Sequence, residues 1–354
     1  MRTDPIADAA ARRVYAGTGA VHTDLASSVM APVYIAGPDR SGTTLMFAML
    51  ASHPDLCMVR RTNMWRYFYQ RYGDLADHEN LDRCLHDMLR YRRMRHLHPD
   101  GDRIRREFLD GDASYGRLFA LFHRHNAERA GKLRWGDKSL HTEHFADDIF
   151  VEFPKARVLH LVRDPRDRYA SVRRRNGGDI SRVGAATGRW LRSVRAARRN
   201  VQRYPDRYRI VRYEDLARSP EATMRSVCEF LGVPFAREML SMDATPEHRD
   251  NGGNSSFGDL EPGVVSVRAI GRFRDVLPAA DVAFIQCTAG RALERAGYAR
   301  ERIHLSPGGW AHFCGWDLPV GAARMVAWMT KARIRMRRHV RVPPRRLQSA
   351  GEET

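Results

Sequence analysis

The sequence predicts an α/β fold: a parallel sheet flanked by helices, with a helical insertion over its active end. Three short apolar runs, at Val33–Ala36, 156–162 and Tyr208–Arg212, have the length and content of buried strands. Each run stops at a polar loop and passes into a helical pattern, so strands alternate with helices, as in a parallel sheet. Ligands of such sheets collect at the carboxyl ends of the strands, which puts the three loops side by side.

The first run feeds Gly37-Pro38-Asp39-Arg40-Ser41-Gly42-Thr43-Thr44 and then a helical segment at 45–52. The second meets Arg163-Asp164-Pro165, and the proline suits the first turn of a basic helix reaching Arg175. Tyr213-Glu214-Asp215-Leu216 follows the third. Residues 55–130 are rich in Arg, His, Tyr and Met and give few strand signals, which predicts the helical insertion. Its aromatic residues Trp65, Tyr67, Phe68, Tyr69 and Tyr72 have the spacing of a packing stripe. Residues 246–266 hold Asn251-Gly252-Gly253-Asn254 and Pro262-Gly263, the chemistry of a mobile loop. From about residue 320, Met325, Val326 and Trp328 alternate with a basic run to Arg346, predicting a helix packed on its own domain or resting weakly on an anionic surface. The organisation is therefore an N-terminal extension at 1–32, one catalytic domain at 33–300 and a basic tail at 301–354.

With 354 residues and 43% apolar content, the chain can build the core of one large domain. Its formal net charge of +18 favours anionic ligands, but the arginines are spread along the whole chain and no nucleic-acid motif accompanies them. Nucleic acid is not the expected partner. Five cysteines, odd in number and without metal-ligand spacing, read as buried free thiols, and no metal is expected. Residues 1–32 lack the apolar core of a signal peptide and no stretch reaches membrane-spanning length, so a cytoplasmic protein is expected.

Gly37, four residues, then Gly42-Thr43-Thr44 has the frame of a P-loop, in which backbone N–H groups at a helix N-terminus face phosphate oxygens. A nucleoside triphosphatase or small-molecule kinase needs a lysine after the second glycine; Thr43 stands there, and the cation sits earlier, at Arg40. Arg-Ser-Gly-Thr-Thr-Leu at 40–45, after an apolar strand, resembles the 5'-phosphosulfate-binding loop of sulfotransferases that use 3'-phosphoadenosine 5'-phosphosulfate (PAPS). Val162-Arg163-Asp164-Pro165-Arg166-Asp167, with Ser171, is similar to the 3'-phosphate-binding strand and helix of that family. Arg175 matches a further basic contact of the tyrosylprotein-type members, and Tyr213 the residue near the adenine. Ser256 and Arg268 fall where the family places later contacts. The resemblance spans about 33–298 and implies a P-loop NTPase-like sheet, PAPS as co-substrate, and Arg40, Ser41, Gly42, Thr43, Thr44, Arg163, Ser171, Arg175, Tyr213, Ser256 and Arg268 as its contacts.

Sulfonate transfer needs positioned reactants, cations for charge growing on the bridging oxygen, and removal of a proton from the acceptor. Arg40 is the first cation for that oxygen and Lys138 the second. The sequence departs from the family at the base. Tyrosylprotein-type members carry a glutamate about twenty residues after the loop arginine, where this chain reads Arg60-Arg61-Thr62-Asn63. Cytosolic members use a histidine just after a lysine, and His141 follows Lys138 at one residue off that register. A neutral imidazole suits proton removal, so His141 is the first choice of base, with Asp137, Glu143 and His53 behind it. The acceptor expected is a small molecule, carbohydrate or peptide hydroxyl or amine. The rival readings are a P-loop kinase and a nucleotide- or nucleic-acid-binding protein with a decayed catalytic site.

Overall fold

The computed structural model describes residues 31–175, 182–249 and 264–337. Strands β1 (Val33–Ala36), β2 (Leu56–Arg60), β3 (Arg134–Lys138), β4 (Arg157–Val162) and β5 (Tyr208–Arg212) form one parallel sheet in the order β2-β3-β1-β4-β5. The two strands missing from the sequence reading have physical excuses. β2 opens the segment read as a helical insertion, and its Leu-Cys-Met-Val-Arg carries only one β-branched residue. β3 is Arg-Trp-Gly-Asp-Lys, a polar sequence that lies inside the sheet between β2 and β1 with Arg134 and Asp137 buried.

Residues of β1 alternate between two cores, as the period of a strand requires. Tyr34 and Ala36 face one core with Val59, Trp135 and the insertion; Val33 and Ile35 face the other with Leu45, Met49, Leu159 and Leu161. The helices that bury these faces begin with α1 (Thr43–Ala51), which follows β1. The insertion proper holds α2 (Met64–Tyr67), α3 (His78–Arg90), α4 (Gly101–Leu109) and α5 (Tyr115–Arg129). Its aromatic residues do pack: Trp65, Tyr67, Phe68, Tyr69 and Tyr72 are all buried, and Trp65 meets Tyr34, Phe119 and Phe153 edge to face. Such pairs add to the area they bury.

After β3 come α6 (Ala146–Glu152), then α7 (Pro165–Arg175) and α8 (Val183–Arg203) beyond β4. α9 (Tyr213–Arg218) and α10 (Pro220–Leu231) follow β5, and α11 (Glu238–Ser241) and α12 (Pro246–Arg249) are single turns. The segment read as a mobile loop thus starts with a helical turn; residues 250–263 lie outside the described residues. α13 (Phe273–Val276) and α14 (Ala279–Arg295) lead to the tail, which forms α15 (Pro307–His312), a π-helical turn Phe313–Asp317 and α16 (Leu318–Arg337). α16 packs along α8, so the packing alternative for the tail holds over the described residues. The thiol reading needs correction. Cys57, Cys84 and Cys228 are buried, but Cys287 and Cys314 are exposed, because they face outward from α14 and from the tail. Among the described residues, no helix is long and apolar enough to cross a membrane.

Candidate active site

The loop after β1 needs glycine at both ends. At Gly37 (φ 121°) a Cβ would lie 2.5 Å from the Leu161 carbonyl of β4; at Gly42 (φ 88°) it would lie 2.6 Å from the Tyr213 ring. Arg40 between them is also left-handed (φ 65°), a conformation costly for a residue with a side chain and concentrated at functional sites. Gly42 caps α1 with no side-chain hydrogen bond, leaving the first N–H groups of the helix for an outside acceptor. Ser41 is fully buried, and its Oγ has no hydrogen-bond partner among the described residues. A cradle with left-handed glycines, open helix N–H groups and an orphaned hydroxyl fits a bound phosphate.

The second motif converges on the first. Arg40 Nε donates to Ser171 Oγ on α7 at 2.8 Å. Arg163, at the end of β4, donates to the Arg40 carbonyl at 3.2 Å and to the Ala269 carbonyl at 2.6 Å, with its guanidinium 4.5 Å from the centre of the Tyr213 ring. Arg163 Nε is buried without a hydrogen-bond partner among the described residues. Tyr213 is itself buried, so it serves the packing and stands beside the loop at once. Arg268 is exposed on the segment before α13, which Asp167 of α7 holds by accepting from the Gly271 and Phe273 N–H groups. Ser256 and the side chain of Arg175 lie outside the described residues.

Four further residues hold this geometry and were not singled out from the sequence: Asp39, Arg168, Asp167 and Glu214. Asp39 accepts from fully buried Arg168 at 2.7 Å and forms an ion pair with Arg189 at 3.0 Å. Burial pushes its carboxyl up, but Arg168 and then Arg189 outweigh that and bring it down to about 2. Glu214 accepts from the Asp164 N–H and from the Tyr298 hydroxyl, tying β5 to the loop after β4. The available signal was charge placed where the fold demands burial, as with Arg168 in the helix behind the second motif.

Lys138 ends β3, and its Nζ donates to Thr44 Oγ1 of the phosphate loop at 3.1 Å. Burial, then the nearby Arg61 and Arg60, lower its pKa to about 8. Asp137 accepts from Thr62 and Ser139, each at 2.8 Å, and burial pushes it up to about 6 against those bonds. His141 (φ 73°) starts a 3-10 turn, Thr142–His144, and burial drives its pKa well down, so it is neutral near pH 7. It lines a cavity of about 10 Å³ with Gly37, Pro38, Glu143, His144, Arg189, Arg192 and Trp328. Glu143 Oε1 accepts from Ser193, while Oε2 is buried without a partner among the described residues. His53 belongs elsewhere. It lies beyond the far end of α1, with one ring nitrogen at the Pro234 carbonyl and the other accepting from Asp55 N–H.

Known proteins share sequence and fold with this chain. The chain is 29% identical over 168 residues to mouse carbohydrate sulfotransferase 5, covering 40% of this chain and 41% of the relative. It is 28% identical over 213 residues to the protein-tyrosine sulfotransferase of Drosophila melanogaster, covering 59% and 39%. The chain thus spans about two fifths of the length of these relatives. The sulfotransferase domain of the Synechococcus PCC 7002 olefin synthase superposes with a TM-score of 0.53 at 24% identity, over 76% of this chain and 95% of that one, and shares its fold. The model of the sulfotransferase family matches residues 32–237, which include the phosphate loop, β3, β4, α7 and β5, and the chain belongs to that family.

Proposed function

We propose that this chain moves a sulfonate group from PAPS to a hydroxyl or amine acceptor and releases 3'-phosphoadenosine 5'-phosphate (PAP). The contact that carries the reading is Arg40 Nε to Ser171 Oγ, which joins the two anion-binding motifs into one site for a nucleotide phosphorylated at both ends. In this reading the N-terminus of α1, Ser41 and Thr43 hold the 5'-phosphate, and Arg163 and Ser171 hold the 3'-phosphate. Arg40 and Lys138 face the bridging oxygen, where negative charge grows as the sulfur–oxygen bond breaks. His141, neutral near pH 7, takes the acceptor proton. The names of the relatives point to a carbohydrate or a tyrosine-bearing peptide as acceptor, alongside small molecules. The kinase alternative is disfavoured by Thr43 where a P-loop lysine belongs.

Thermal denaturation with added nucleotide tests the donor assignment. PAP should raise the melting temperature far more than ATP at equal concentration, because a ligand stabilises in proportion to its preference for the folded state. Equal stabilisation by ATP would overturn the reading. Arg163→Ala should weaken PAP binding by about 2 to 3 kcal/mol, the scale of a lost charge-assisted contact. Incubation with radiolabelled PAPS and a metabolite extract of the host should then yield a labelled acceptor.

A further inference from the structure

We infer that Trp328, on the C-terminal helix α16, closes the acceptor side of the site and selects which acceptors reach it. The inference rests on the reading of this site as a sulfonate-transfer centre. Three observations carry it. First, among the described residues Trp328 is the one from the tail in the wall of the cavity at His141, and α16 lies beyond the segment that matches the family. The tail therefore contributes to the wall of this cavity.

Second, α16 is held tightly against α8. A Cβ at Gly184 would lie 2.1 Å from the Gly321 carbonyl, and one at Gly188 would lie 3.0 Å from Met325 and 3.2 Å from Met329. Such backbone contact fixes the helix, and with it the indole one turn past Met325. Third, the cavity is polar and nearly shut. Its volume of about 10 Å³ admits about one water, yet Gly37 and Pro38 of the phosphate loop, His141, Arg189 and Arg192 all face it. Glu143 lines the same cavity, and its buried Oε2, without a hydrogen-bond partner among the described residues, calls for a donor. Arg189 also grips Asp39, next to Arg40, so the cavity adjoins the loop cation.

An acceptor must displace the indole to reach His141. The chemistry that suits this wall is a hydroxyl compound with one flat face, an aromatic or pyranose ring, which stacks on the displaced Trp328 while its hydroxyl meets His141 and Glu143. Closure by the indole also keeps water from the donor when no acceptor is bound.

The test uses the full chain and PAPS alone, with water as the only nucleophile. Water oxygen bonds to sulfur, the bond from sulfur to the bridging phosphate oxygen breaks, and the products are sulfate and PAP, with the protons of the water released to solvent. Trp328→Ala should raise this hydrolysis at least fivefold while the Kd for PAP stays within twofold; Trp328→Phe should fall between the two. Gly184→Val, which pushes α16 off α8 from outside the cavity, should raise hydrolysis as well. Hydrolysis by Trp328→Ala that is unchanged or slower, with PAP still bound, overturns the inference. Failure of the parent chain to bind PAP overturns the donor assignment itself, and the inference falls with it.

Discussion

Arg40 shows how much one residue carries. Its left-handed backbone is held from both sides, by Arg163 on its carbonyl and by Asp39 with Arg168 and Arg189 just before it. Ion pairs of the neighbouring Asp39 support that strain, and the Arg40 guanidinium is aimed at Ser171. Charge on the bridging oxygen is small in the bound donor and grows toward the transition state, so Arg40→Ala should lower kcat by about a hundredfold or more while weakening ground-state nucleotide binding much less. Steady-state kinetics beside PAP titration separates the two effects, and an equal loss in both would assign Arg40 to ground-state binding alone. Lys138 gives a pH prediction with a definite sign. Burial and the cations Arg61 and Arg60 bring it to about 8, so it loses its charge as pH rises through that value. The kcat/KM for PAPS should therefore fall above about pH 8, and Lys138→Arg should move that basic limb upward, since a guanidinium keeps its proton. An alkaline limb in the same place in the variant would exclude Lys138 as its source.

At the scale of elements, the local strand–loop–helix units were readable and the distant pairings were not. β1, β4 and β5 are apolar runs that end in loops, and the two sequence motifs lie within a few residues of those ends, so the meeting of Arg40, Arg163 and Ser171 was legible in the sequence. β2 escaped because it opens the segment read as a helical insertion and carries one β-branched residue, and β3 because Arg134, Asp137 and Lys138 give it a polar composition although it lies inside the sheet. The Asp39–Arg168 and Asp164–Glu214 contacts escaped because they join residues that only the finished sheet brings together. The loop itself offers the sharpest test of an element. Gly42→Ala forces a Cβ into a left-handed position that already lies against the Tyr213 ring, which should distort the N-terminus of α1. PAP affinity should drop at least tenfold with the far-ultraviolet circular dichroism preserved. Unaltered affinity would mean that the α1 N-terminus does not hold the 5'-phosphate.

At the scale of the whole molecule, the formal net charge of +18 would act on the proposed polyanionic donor before any contact forms. Only four of the 60 basic residues are lysine, and much of the arginine is committed to fixed partners such as the Asp39, Asp164 and Glu107 carboxylates. The charge near the mouth of the site differs in kind: Arg60, Arg61 and Lys138 crowd the carboxyl ends of β2 and β3 closely enough to pull the lysine pKa down. Their field should steer PAPS toward the loop, and steering of this kind weakens with salt because the Debye length shrinks from about 10 Å at 0.1 M to about 3 Å at 1 M. The buried contacts of Arg163 and Arg40 are screened far less. Raising sodium chloride from about 0.05 to about 0.5 M should therefore lower kcat/KM for PAPS several-fold while kcat at saturating PAPS changes little. A kcat that falls in parallel would place the salt-sensitive charges in the chemical step, and a flat kcat/KM would show that the basic surface does not draw in the donor.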